Sequence, residues 1–250
     1  MNSIEKVWKV FLTKAFDDGV WVVKDDGDKI LELLDNHYFI PNVLYKFCFL
    51  TIMDDVYCMT NISSDTFVDM IGKGVFNIDG YPIKDESLQR YVTQLTDDKQ
   101  IYLDDDKDSF VYTYPERLFN IKQVTHDDEI VRVNQADVII NRLKEYHGSN
   151  RAVGTLYCSA LDKDIKDIPC LNWCQCLIRD DKLSLHVMFR SNDLYSAFPA
   201  NMMFLMYFGL KITEALKDDY PLLVFDGVYY NSTSLHIYEG DYEQAQKVFE

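Results

Sequence analysis

The sequence predicts an α+β fold in which helices pack on a mainly antiparallel or mixed sheet. Three observations carry this expectation. Apolar residues recur at helical spacing in three stretches. Short alternating or apolar runs flank compact polar links, as hairpin strands do. Strands and helices intermix without the strict alternation of a parallel βαβ sheet. At 250 residues, 48% of them hydrophobic and 14% aromatic, the chain has ample material for one core, and residues 1–250 are read as a single domain. A disordered or fibrous chain is excluded.

The elements follow in order. Ile4, Val7, Trp8, Phe11, Leu12, Ala15 and Phe16 place an amphipathic helix over residues 3–16, ended by the Asp17–Gly19 stretch. Trp21–Val23 and Lys29–Leu34 surround Asp25-Asp26-Gly27-Asp28, a turn sequence that predicts a hairpin. Residues 60–107 carry Gly72, Gly74, Gly80 and the acidic cluster Asp104-Asp105-Asp106. That cluster reads as a solvated loop, because no histidine or further carboxylate is spaced to complete a metal shell. A second helix covers residues 134–146, with Ala136, Ile139, Ile140 and Leu143 on one side and Gly148 in the place of a C-terminal cap. Leu171–Ile178 and Leu183–Phe189 form strands joined by the four-residue link Arg179-Asp180-Asp181-Lys182. Pro199 opens a helix over Ala200–Leu216, apolar on all sides and therefore buried. Leu222–Tyr230 and Ser234–Tyr238 supply two final strands.

Charge narrows the function classes. Twenty-five basic against 41 acidic side chains give a formal charge of −16, so the surface as a whole repels phosphate backbones, and nucleic acid is excluded as a partner. Small anions stay possible, since clustered arginines in a cleft overrule the global field. No apolar stretch reaches the roughly 20 residues of a membrane span, and Glu5, Lys6, Lys9 and Lys14 interrupt the N-terminus too often for a signal peptide. A cytoplasmic protein is expected. Six cysteines are too sparse for a disulfide framework and show no zinc-ribbon spacing. Cys174 and Cys176 share one strand face and read as packing residues, and no metal site is expected.

Chemistry concentrates in Ile168-Pro169-Cys170-Leu171-Asn172 and, one strand later, Arg190-Ser191-Asn192-Asp193. A cysteine at the mouth of a strand, with arginine returning on the next, sits beside a fixed positive charge that favours the thiolate, the nucleophilic form. Spacing alone equally suits a buried thiol and a surface ion-pair arginine.

The run from Pro169 to Asp193, continued by Phe198-Pro199-Ala200-Asn201 and closed by Ser234-Leu235-His236-Ile237-Tyr238, resembles the thymidylate synthase superfamily, which includes the pyrimidine nucleotide hydroxymethylases, and within it the phage-like branch. Each motif is weak alone; their joint order and spacing are specific. The match is clear over residues 134–242 and faint before, where Phe110-Val111-Tyr112 looks like the family's VYG segment. The resemblance implies a thymidylate synthase-like fold and a set of roles. Cys170 would be the nucleophile that adds to C6 of a pyrimidine nucleotide. Arg190 and Ser191 would hold the 5′-phosphate. Arg151 matches the second of two arginines offered across a homodimer to the partner's phosphate site, while Asn150 replaces the first. Asp25, flanked by Lys24 and Lys29, stands where the family has a further phosphate-binding arginine. Asn201 would contact the base, His236 and Tyr238 the sugar 3′-hydroxyl, and Asp193 the pterin of the folate. Tyr112 would lie near the C5 proton, and the family's water-ordering glutamate falls on Asp54 or Asp55.

The activity so implied is folate-dependent C5 hydroxymethylation of a pyrimidine deoxynucleoside monophosphate, dUMP to 5-hydroxymethyl-dUMP, with 5,10-methylenetetrahydrofolate as co-substrate. Such enzymes supply modified bases for viral DNA, which would place the protein in a host cytoplasm. The alternatives are a thymidylate synthase, a dCMP hydroxymethylase, and a catalytically dead regulator that binds nucleotide or RNA. Asn201 favours uracil, because the resembling deoxycytidylate enzymes carry aspartate there. Two features favour the hydroxymethyl product. Asn172 gives a Cys-x-Asn pattern like that of the phage hydroxymethylases, where synthases have histidine after the cysteine. The 12 residues after Tyr238 are also short for the closing segment by which synthases exclude water.

Overall fold

The computed structural model describes residues 3–42, 47–49, 59–62, 112–124, 127 and 129–249. The acidic cluster at Asp104–Asp106, the candidate carboxylates Asp54 and Asp55, and Phe110 and Val111 lie outside the described residues.

Helix α1 (Ser3–Asp18) buries the predicted stripe of Val7, Trp8, Phe11, Leu12 and Ala15. The Trp8 indole N–H donates to the Leu194 carbonyl at 2.6 Å, which ties the helix to the segment carrying the cavity. Gly19 ends it, its N–H bonding to the Ala15 carbonyl at 3.0 Å. Strands β1 (Val20–Val23) and β2 (Lys29–Pro41) form the predicted hairpin, with Gly27 at φ 93° in the turn. β2 runs past Leu34 because β10 (Val224–Tyr238) pairs with it as far as Pro41.

Two short ladders stand apart from the main sheet. One joins β3 (Phe47–Phe49) and β4 (Met59–Ile62), the other β5 (Ile121–Val124) and β6 (Ile130–Val133). Helix α2 (Tyr114–Phe119) is capped by the Thr113 side chain, and α3 (Gln135–Glu145) by Asn134, whose side-chain oxygen accepts from the Asp137 N–H. The expected glycine cap does not form. Tyr146 closes α3 by donating to the Arg142 carbonyl, and the positive-φ glycines among the described residues are Gly27 and Gly227. Gly148 instead sits inside a turn closed by the Ser149 N–H on the Tyr146 carbonyl.

Strands β7 (Val153–Thr155), β8 (Leu171–Arg179) and β9 (Lys182–Asp193) complete a six-stranded sheet of order β1-β2-β10-β9-β8-β7. Every pairing is antiparallel except β9 with β10. The β8–β9 turn is tighter than predicted. Arg179 and Lys182 form the last rung, leaving Asp180 and Asp181 at φ 50° and 55°. Both central residues of a primed two-residue turn need positive φ, and aspartate tolerates it.

Between β9 and β10 lies α4 (Phe198–Ala215), which buries Met202, Phe204, Leu205, Phe208 and Ile212 against the sheet. At Gly209 an added Cβ would stand 2.2 Å from the Phe225 ring, so glycine permits the close approach of helix and strand. The predicted pair of C-terminal strands is one continuous strand, β10. Asn231-Ser232-Thr233 reads as a break, but β10 lies between β2 and β9, whose ladders satisfy its backbone on both sides. No described helix is long and apolar enough to cross a membrane.

Candidate active site

A bulge between Leu171 and Trp173 interrupts the β8–β9 ladder at the point where Cys170 enters the sheet. The Arg190 N–H donates to the Cys170 carbonyl at 2.8 Å, so these two residues face each other as the hairpin predicts. Three side chains then clamp the carbonyls ahead of the cysteine. Arg190 donates to the Ile168 oxygen at 2.6 Å and to the Pro169 oxygen at 3.2 Å; Tyr112 donates to Ile168 at 3.3 Å, and Asn172 to Pro169 at 2.8 Å. The Ser191 hydroxyl donates to the Cys170 sulfur at 3.6 Å and accepts from Arg190 at 3.0 Å. A guanidinium therefore polarises the hydroxyl that points at the thiol.

Cys170, Arg190 and Ser191 line a cavity of about 460 Å³ that also collects Tyr112, Asp193, Asn201, His236 and Tyr238. Asn172 is not among its lining residues; its amide holds the Pro169 carbonyl instead. Arg151 also lies elsewhere, exposed in a separate groove with Arg142 and Asn150. Cys174 and Cys176 are buried thiols in the core, as the packing reading expects, and burial pushes Cys174 up to about 12.

His236 is 5% exposed, and neither ring nitrogen has a partner among the described residues. Burial, reinforced by the charges of Lys24 and Arg190, lowers its pKa to about 4. At neutral pH the ring is therefore uncharged, with one donor and one acceptor available. Tyr112 stays a phenol, since burial raises its pKa. Asp193 accepts on one oxygen from the Tyr195 and Ser196 N–H groups, each at 3.0 Å. Burial, with the charge of Asp241 behind it, pushes it up to about 6.

A raised carboxylate pKa has a definite sign in stability. Between the ordinary value of 3.8 and about 6 the folded protein binds more protons at Asp193 than the unfolded chain, so stability falls as pH rises through that window. Asp193→Asn keeps the two backbone bonds without the charge. The variant is expected to melt higher than the parent at pH 8 and level with it near pH 4, checked by thermal unfolding at both values; an unchanged Tm at pH 8 would refute the assignment.

Two cations of the wall went unread in the sequence. Lys24 reaches the cavity, donating to Asp26 at 2.9 Å and to the Tyr238 hydroxyl at 3.3 Å. Burial works against its charge, but these bonds outweigh it and hold its pKa above the ordinary value. Its place beside Asp25, where the resemblance calls for an arginine, was the available signal. Lys166 also lines the cavity and had none. Lys29 turns away to Glu239 at 2.6 Å.

A thiol that accepts from a polarised hydroxyl shares one cleft with Arg190, Lys24, Lys166 and an uncharged imidazole, a set of groups suited to covalent chemistry on an anionic small molecule. The thymidylate synthase family matches residues 8–250, nearly the whole chain. Among curated relatives, a protein of Methanocaldococcus jannaschii is 32% identical over 176 residues, covering 68% of this chain and 71% of its own. A protein of Methanothermobacter marburgensis is 25% identical over 251 residues, covering 99% and 96%, and one of Methanosarcina mazei is 30% identical over 166 residues, covering 66% and 67%. All three carry the name "Putative thymidylate synthase". The chain belongs to the thymidylate synthase family and is a one-carbon transferase.

Proposed function

We propose that the cavity binds dUMP and that Cys170 adds to C6, so that C5 becomes nucleophilic and accepts a one-carbon unit, ending as 5-hydroxymethyl-dUMP. The observation that carries this reading is the Arg190–Ser191–Cys170 chain of donors at the floor of the cleft. Arg190 spends three of its five N–H groups on Ile168, Pro169 and Ser191, leaving two for a phosphate, with Lys24 and Lys166 adding charge at the wall. His236, uncharged and without a partner among the described residues, suits a sugar hydroxyl. Asn201 presents an amide edge to the base, its carbonyl accepting from N3–H and its NH₂ donating to O4. Fixing the nucleotide at these points makes thiolate addition effectively intramolecular. Tyr112, a phenol near Cys170, would relay the C5 proton through water.

The residues present fit a folate. Asp193 lines the cavity with one oxygen held by backbone amides, which leaves the other for the N–H groups of a pterin. When bound, 5,10-methylenetetrahydrofolate supplies the electrophilic one-carbon unit.

For the product, the hydroxymethyl reading is supported by the packing of the residues after Tyr238. Tyr242 meets Phe16 edge to face and Trp21 at a tilt, and Phe249 meets Phe16 edge to face, in the α1–β1 corner, and no described residue beyond Tyr238 lines the cavity. Water then meets the exocyclic methylene group at C5. The name shared by the methanogen relatives favours a second reading, methylation to thymidylate. Incubation with dUMP and methylenetetrahydrofolate, followed by mass analysis of the nucleotide, separates them: addition of CH₂O with release of tetrahydrofolate is expected. Stoichiometric dihydrofolate with a methylated nucleotide would establish the synthase instead.

A homodimer belongs to the same proposal. The sheet face turned from the helices presents Met188 and Tyr229, 41% and 40% exposed, and Arg190 shares the alternation of Met188 on β9. A second copy on that face would bring its own Arg151 towards the phosphate end of the cavity.

A further inference from the structure

Between β7 and β8 the chain makes an excursion that ends at Cys170, and from Tyr157 to Ile168 the one buried residue is a carboxylate, Asp162. No apolar side chain of that stretch is buried. An ion pair holds it instead. Asp162 Oδ1 accepts from Arg117 Nη2 at 2.5 Å, while Oδ2 accepts from Arg117 Nη1 at 3.5 Å and from the Cys158 N–H at 2.7 Å. Arg117 is itself buried, and its carbonyl accepts from the Gln135 amide at 2.6 Å, which fixes the backbone that carries the fork.

The same guanidinium reaches a residue of the cavity wall. Its Cζ lies 5.6 Å from the centre of the Tyr112 ring, within the range at which a cation holds an aromatic face. The Tyr112 hydroxyl donates to the Ile168 carbonyl, the oxygen that Arg190 also holds, two residues before the nucleophile. Arg117 therefore grips both parts whose relative placement matters for the C5 proton, the phenol and the loop that leads to Cys170. Stability alone does not account for such a pair. What two buried ions gain from each other roughly offsets their lost hydration, and a well-packed apolar pair in their place is often as stable. Their contribution is direction, because a guanidinium fork and a carboxylate meet in few geometries.

We propose that Arg117, clamped to Asp162, is a positioning residue that acts through Tyr112, holding its hydroxyl against the cysteine turn for removal of the C5 proton. This rests on the reading that Cys170 adds to C6 and that Tyr112 relays the C5 proton. Neither Arg117 nor Asp162 lines the cavity, so neither meets the nucleotide. Without the clamp, Arg190 and Asn172 still hold the Ile168 and Pro169 carbonyls, so the turn that presents Cys170 stays in place and the loss falls on Tyr112.

The test is a double-mutant cycle of Arg117→Lys and Tyr112→Phe, with kcat and KM measured on dUMP and methylenetetrahydrofolate, and with melting recorded beside them. Tyr112→Phe keeps the ring and removes the hydroxyl, and its kcat is expected to fall by about a hundredfold. Arg117→Lys keeps the charge but not the fork, so in the parent its kcat is expected to fall by about tenfold while KM stays within about threefold. Made on Tyr112→Phe, the same substitution is expected to change kcat by less than about twofold, because the group it positions is already gone. A purely structural role lowers kcat by the same factor in both backgrounds, and that result would overturn the proposal. An Arg117→Lys kcat within about twofold of the parent's would overturn it too. Should Arg117→Lys fail to fold, the apolar exchange Arg117→Met with Asp162→Leu, which leaves no buried charge unpaired, takes its place in the cycle and decides by the same comparison. Parental turnover in Tyr112→Phe would overturn the reading of the phenol as the proton relay and the role of Arg117 with it, whereas a slow Tyr112→Phe with equal losses in both backgrounds overturns the role of Arg117 alone.

Discussion

Cys170→Ser is expected to fold as the parent does, to bind nucleotide within about threefold of it, and to lose turnover by about a thousandfold or more, a barrier increase of about 4 kcal/mol. Serine is close in size, and Cys170 sits half-buried at the cavity floor, packed against the core without belonging to it, so melting should barely change. The chemistry changes entirely. Conjugate addition at C6 needs an anion, and an alkoxide is far less accessible than a thiolate near neutral pH. Ser191, polarised by Arg190, would still donate to the new oxygen, but a hydrogen bond of this kind cannot close so wide a gap. Steady-state rates with dUMP and the folate, beside calorimetric binding of the nucleotide, check both halves. More than about a tenth of parental turnover, under 1.4 kcal/mol of barrier, would end the nucleophile assignment.

Arg190→Ala should damage binding and turnover together. The side chain makes two bonds to the carbonyls of Ile168 and Pro169 and a third to Ser191, while two N–H groups remain for a phosphate. Losing the phosphate contacts raises KM for the nucleotide by about 10- to 100-fold, the range of a charge-assisted hydrogen bond. Losing the internal bonds loosens the turn that presents Cys170 and takes the polarising charge from Ser191, so kcat falls by a similar factor. Arg190→Lys separates the two effects. Lysine restores the positive charge but not the planar fork that reaches three partners, so KM should recover in part and kcat should not. A kcat for Arg190→Ala within twofold of the parent's would show that the arginine serves the phosphate alone.

What could be read from the amino acids differs from what could not by the range over which each feature is decided. The stripe of Trp8, Phe11, Leu12 and Ala15 is visible because helical burial repeats every three to four residues. The opposition of Cys170 and Arg190 is visible because a tight hairpin sets its own register, although the turn is two residues long rather than four. Strand β10 reads in the sequence as two strands. Ser232 is a polar residue 2% exposed, and nothing local says that strands will flank it on both sides or that its hydroxyl will find the Ser234 carbonyl. The orientation of Asn172 is illegible for a related reason: the bulge beside it turns the amide to Pro169, and a one-residue irregularity reverses which face a side chain takes.

The sequence by itself determined the α+β class, the hairpin that opposes a cysteine to an arginine, and the ordered motifs that mark the family. Each of these is carried by residues close together or by a pattern of types. Only the tertiary structure decided that Lys24 and Lys166 join the cavity, that the Asn172 amide turns to the Pro169 carbonyl, and that Asn201 is wired to Asn192 and through it to Tyr230. These outcomes depend on strand order, on a bulge, and on which polar groups must find partners once water is excluded. Such constraints act between residues far apart in the chain, so no local period or spacing records them.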